Sequence, residues 1–145
     1  MVGITALCLS GCRLGHLPSP LASLPAIEIL DLGCTQLTHL PQELACVGSL
    51  RKLDLHGNEL TGVPAVLGGG AASRLEHFNL GRNHSLVVGD EGLALLCSLG
   101  ALQCLNLRGA AQQPRPAEVG DERLYKAMKA GYGLWRGAGM MEYWH

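Results

Sequence analysis

Aromatic side chains are scarce in this 145-residue chain: 4% of its residues are aromatic, with a single phenylalanine, so a core of packed rings is excluded. Charge of one sign is scarce too. Eleven Lys and Arg stand against 12 Asp and Glu, a formal charge of −1, and nothing here supplies a basic field for nucleic acid or an anionic membrane. Long apolar runs are missing. Apolar residues make up 48% of the chain, yet none of their runs reaches the roughly 18 uninterrupted residues that a membrane span needs. The opening Met1-Val2-Gly3 has no basic start, apolar stretch and cleavage site of a secretory leader, so the expected compartment is cytoplasmic.

Six cysteines, Cys8, Cys12, Cys34, Cys46, Cys97 and Cys104, follow no paired spacing, and neither end carries a cysteine-rich cluster, which points to reduced thiols in a reducing compartment. Cys8 and Cys12 lack a second close pair or a histidine cluster at ligand spacing, so no metal is expected. The run Gly68, Gly69, Gly70 is not followed by the lysine and hydroxyl residue of a phosphate-cradling loop. No cofactor is expected.

What the chain does have is one frame in five copies: ITALCLSGCRL, IEILDLGCTQL, LRKLDLHGNEL, LEHFNLGRNHS and LQCLNLRGAAQ. The copies begin at Ile4, Ile27, Leu50, Leu75 and Leu102, at spacings of 23, 23, 25 and 27 residues. Frame positions 1, 4 and 6 are apolar in every copy. The period-two pattern at positions 4 and 6 predicts a short strand in each, and a single copy cannot bury its apolar edge alone. The strands must therefore lie side by side at about 4.8 Å as a parallel ribbon. The pattern LxxLxLxx(N/C/T)xL identifies the chain as a member of the leucine-rich repeat family, an α/β solenoid with its ribbon on the concave face and extended, 3-10 or helical returns on the convex face. Position 9, occupied by Cys12, Thr35, Asn58, Asn83 and Ala110, is where buried turn amides need side-chain partners, and Asn offers both a donor and an acceptor.

The returns differ in kind. LGHLPSPLASLPA, LTHLPQELACVGS and LTGVPAVLGGGAA each place a proline after an apolar residue, which favours an extended or loosely helical back. These repeats resemble the Ras-group type of intracellular leucine-rich repeat protein, a resemblance that implies a scaffold or adaptor. The fourth return, VVGDEGLALLCSLGAL, predicts a helix capped by Asp90 and stopped at Gly100, and resembles the ribonuclease-inhibitor type.

Side chains at positions 3, 5 and 7 alternate away from the core and are expected to pave the concave face, which this family uses for binding. The candidate contacts are Asp31, Lys52, Asp54, His56, His77, Asn79, Asn106 and Arg108. Asp31 and Asp54 fall on adjacent strands and should repel unless Lys52 or a basic partner group offsets them. His56 and His77 are displaced by about 13 Å along the ribbon and cannot share a proton. Cys104 beside His77 lacks an orienting third group. No catalytic role is expected.

Residues 1–111 read as the solenoid and 112–145 as a tail with a short helix near 121–130, ended by Gly131, whose Leu124 and Met128 would cap the last repeat. The final 21 residues hold both tryptophans, all three tyrosines and three of the four methionines, and Trp135, Tyr143 and Trp144 are possible anchors for a partner. At the other end the first repeat has no polar cap, which predicts self-association over its bare strand or a fragment of a longer repeat protein that needs a partner to fold. The function expected is binding of another protein through the concave face. The alternative is a regulatory or inhibitory subunit that occludes an enzyme.

Overall fold

The computed structural model describes residues 3–17, 26–40, 42–68, 72–112 and 120–134. Each frame contributes one three-residue strand: β1 (Ala6–Cys8), β2 (Ile29–Asp31), β3 (Lys52–Asp54), β4 (His77–Asn79) and β5 (Cys104–Asn106). All four neighbouring pairs are parallel and the order is the order of sequence. The register is in frame throughout, with Leu7, Leu30, Leu53, Phe78 and Leu105 in one row. Only in-frame pairing keeps every apolar side chain on one face, because a slip of one residue would turn the whole set to solvent.

The core runs through the stack. Leu30, Leu32, Leu53, Leu55, Phe78, Leu80, Leu105 and Leu107 are buried, joined by Leu37, Leu60, Leu86 and Leu96 from the returns. Leu7 and Leu9 of the first repeat are only partly buried and Ile4 is 53% exposed. The returns vary as their residues allow. Among the described residues two are 3-10 turns, Gln42–Cys46 and Ala65–Leu67, each following a proline, and the fourth is the helix α1 (Asp90–Ser98). Gly89, not Asp90, is the N-cap of α1, Asp90 opens its first turn, and the helix gives way at Leu99, one residue before Gly100. An isolated bridge between Val87 and Gln112 extends the pairing past Ala110.

Position 9 holds the turns together. Asn58 is buried, and its Oδ1 accepts from the amides of Thr35 (3.0 Å) and Leu37 (2.9 Å) while its Nδ2 donates to the carbonyls of Leu32 and Leu55. Asn83 repeats the pattern one repeat later, accepting from Leu60 and donating to Leu55 and Leu80. Position 8 has its own rule. Gly11, Cys34, Gly57, Arg82 and Gly109, one per frame, all adopt positive φ between 54° and 83°, the left-handed turn by which the chain leaves the ribbon.

The last strand is covered by α2 (Glu122–Leu134), which packs on β5 through buried Leu124, Ala127 and Met128. Its start is capped by Asp121, whose Oδ1 accepts the Leu124 amide at 3.0 Å. The Arg123 guanidinium donates to the carbonyls of Cys97 and Leu99, tying α2 to the end of α1. The helix does not stop at Gly131 but continues to Leu134, since favourable packing of its first turns outweighs one poor helix former. Trp135, Tyr143 and Trp144 lie outside the described residues. No helix among the described residues is long and apolar enough to cross a membrane.

Candidate functional site

On the face opposite the core, positions 3, 5 and 7 line up as three columns across the ribbon. The central column is not open. Asp31 is 6% exposed, Asp54 and Asn79 are 0% and Asn106 is 6%, so these four candidate contacts are a buried floor rather than an accessible surface. The reason is geometric: side chains standing 4.8 Å apart on parallel strands pack on one another and are flanked by the columns either side.

Each floor residue is occupied by hydrogen bonds. Its Oδ1 accepts the backbone amide two residues on: Gly33 for Asp31, His56 for Asp54, Gly81 for Asn79 and Arg108 for Asn106. Side chains also link from strand to strand. Asn106 Nδ2 donates to Asn79 Oδ1 at 2.9 Å, and Asn79 Nδ2 donates to Asp54 Oδ2 at 3.3 Å. From the other end, the Cys8 thiol donates to Asp31 Oδ2 at 3.5 Å. Asp31 and Asp54 thus meet in register in the middle.

The side chain set against this pair is His56, with Nδ1 2.8 Å from Asp54 Oδ1. Its ring lies over Gly33, where an added Cβ would stand 2.1 Å from His56 Cε1. Gly81 is small for a similar reason, since a Cβ there would meet the Asn106 amide at 2.7 Å. Burial raises the Asp54 carboxyl above its ordinary value, opposed by the hydrogen bond and charge of His56. One donor atom from each of Asp31, Asp54 and His56 lies within 4.8 Å of the others, so these are the described residues with the geometry to hold a cation. His56 Nδ1 and Asp54 Oδ1 already satisfy one another.

The flanking columns supply the accessible groups. Lys52 and His77 are neighbours in register at position 3 and half-buried, His56 is half-buried at position 7, and Arg108 is exposed. Burial and then the Lys52 ammonium hold the His77 imidazole below its usual range. Cys104, next to His77, is buried. Arg51 and Glu76 form a bidentate pair at the ribbon's lower margin, with contacts of 2.9 and 3.1 Å. Two open clefts lie elsewhere, one under the start of α2 and one between α1 and the third return.

The sequence reading missed Cys34. Its Sγ stands 3.4 Å from His56 Nε2, on the side of the ring opposite Asp54. The signal was available in the frame, since position 8 of one repeat sits diagonally beside position 7 of the next.

Residues 3–60 match the leucine rich repeat family. The match places residues 3–60 in the leucine-rich repeat family, whose general role is protein–protein interaction, and the in-register parallel ribbon carries the same repeat fold through β5. Among solved structures the chain is similar to internalin C2 of Listeria monocytogenes, at 31% identity and a TM-score of 0.64, over 78% of this chain and 46% of that one. It also resembles a leucine-rich repeat protein of Leptospira interrogans at 24% identity and a TM-score of 0.55, over 80% of this chain and 33% of the other, a likeness of fold alone. The chain spans about half of the first relative's length and a third of the second's. No curated protein sequence matches it.

Proposed function

We propose that the chain is a non-catalytic scaffold or adaptor that captures a partner protein through its concave face. The observation that carries this reading is the division of that face into a buried floor and accessible margins. Asp31, Asp54, Asn79 and Asn106 stiffen the ribbon, while Lys52, His56, His77 and Arg108 present cationic and hydrogen-bonding groups on its rims. Such a surface is pre-organised: its backbone is held by in-register pairing, so a partner need not be bound at the cost of ordering a loop. The free thiols of Cys8, Cys12, Cys34, Cys97 and Cys104 support a cytoplasmic setting.

The test is affinity capture with the whole chain against a Lys52→Glu, Arg108→Glu double variant. Both side chains lie outside the core, so the variant should keep its thermal transition and lose its partner. An unchanged set of captured proteins refutes the concave face as the interface. A second reading is self-association over β1, favoured by the exposed Ile4 beside a strand that pairs on one side only among the described residues. Sedimentation at two concentrations tests it, and an Ile4→Lys variant should remain monomeric at both.

A further inference from the structure

We propose that Cys34, His56 and Asp54 form a nucleophilic thiol site that accepts small disulfides by exchange, a function separate from partner binding. The arrangement is a nucleophile, a base and an orienting group in sequence. Cys34 Sγ stands 3.4 Å from His56 Nε2, and His56 Nδ1 stands 2.8 Å from Asp54 Oδ1. In the tautomer whose Nδ1–H donates a hydrogen bond to Asp54, the Nε2 lone pair faces the thiol.

Three further features hold these atoms in place. Asp54 is fully buried and is itself fixed by the His56 amide and by Asn79. The imidazole is seated in the space left by Gly33. Cys34 is kept in the left-handed conformation at φ 54°, which aims its Sγ across Gly57, where an added Cβ would meet the sulfur at 2.7 Å. The left-handed turn is the one every position-8 residue adopts, and here it leaves the Cys34 Sγ within reach of the ring. Cys34 is also exposed, so a peptide-sized disulfide can reach it.

The reaction balances without a further reagent. As Cys34 Sγ attacks one sulfur of the disulfide, a new S–S bond forms and the old one breaks. The thiol proton passes to His56 Nε2, whose positive charge is met by Asp54, and then to the departing thiolate. The products are a mixed disulfide on Cys34 and one free small thiol. The backbone amides of Gly33 and Cys34 are already spent on Asp31 and on the His56 carbonyl, leaving no pair aimed at an oxyanion, so acyl transfer is not the chemistry of this site.

The experiment treats the whole chain with oxidised glutathione at neutral pH and follows each cysteine by peptide mass spectrometry. Cys12, exposed in the same molecule, is the reference and buried Cys104 the blank. Cys34 should be modified about tenfold faster than Cys12, and His56→Gln should bring it to the Cys12 rate while the thermal transition is retained. Equal rates for Cys34 and Cys12 in the wild-type chain overturn the proposal, as does a Cys34 rate unaffected by a folded His56→Gln variant. The wild-type comparison decides alone if that variant does not fold.

Discussion

Replacing Asn58 by Ala would remove the side chain that closes the turns of two successive repeats. Its Oδ1 is the acceptor for the amides of Thr35 and Leu37, and both amides are buried. The other contacts are better insured. The Leu32 carbonyl still accepts from the Thr35 hydroxyl at 2.7 Å, and the Leu55 carbonyl still accepts from Asn83 at 3.0 Å. The loss is therefore counted as two buried donors left without partners, at about 1–3 kcal/mol each, or roughly 2–6 kcal/mol in all. Asn83→Ala orphans one such amide, that of Leu60, and should cost roughly half as much. Urea unfolding followed by circular dichroism gives both values by linear extrapolation, provided the slopes agree between variants. Against a domain stability of about 5–15 kcal/mol, the larger loss would populate the unfolded state visibly. A change below about 0.5 kcal/mol for Asn58→Ala, or a reversed order of the two variants, would refute the assignment of position 9 as the turn's amide partner.

Leu53→Ala, at the middle of the buried row, should cost roughly 2–5 kcal/mol in the same unfolding assay, with no change expected in the strand register. Burial raises the Asp54 carboxyl, so the folded chain holds that proton more tightly than the unfolded one; the stability it contributes is full below the ordinary value of 3.8 and is lost as pH rises through the folded value. Asp54→Asn continues the amide ladder toward Asp31 and should stabilise by about 1 kcal/mol at pH 7, an advantage that shrinks in titrations toward acid. Arg123→Ala frees the carbonyls of Cys97 and Leu99 and should accelerate hydrogen exchange throughout α2 while leaving β3 protected, at a cost of about 1–2 kcal/mol. Cys34→Gly relieves the left-handed strain at φ 54° and should raise stability by about 0.5–1 kcal/mol, read as a higher melting midpoint.

The ribbon was legible because period-two alternation in ALCL, ILDL, KLDL, HFNL and CLNL assigns faces directly, and the pairing register follows once the frames are aligned. Depth was not legible. Alternation says that Asp31, Asp54, Asn79 and Asn106 point away from the leucines, yet it says nothing of how closely equal side chains on five adjacent strands cover one another. Gly33 and Gly81 carried that information, since a residue without a side chain beside a polar column marks where a neighbour's ring or amide lies down. Helix boundaries shifted for local reasons. Gly89 takes the extended conformation that the cap of α1 needs, which moves Asp90 into the first turn. Cys34 went unremarked because its role depends on a diagonal contact with the next repeat, and no pattern within a single copy displays it.

The polar floor has a direction. Amides donate from Asn106 to Asn79 to Asp54, while on the other side the Cys8 thiol donates to Asp31, so two streams of protons converge on a pair of groups that only accept. An amide chain of this kind can be lengthened on its donor side but must end on an acceptor, here the Asp54 carboxylate. It follows that the solenoid can grow by whole repeats bearing Asn at position 5 after β3, whereas a repeat bearing Asp inserted there would break the line of donors and set one acceptor-only carboxylate beside another.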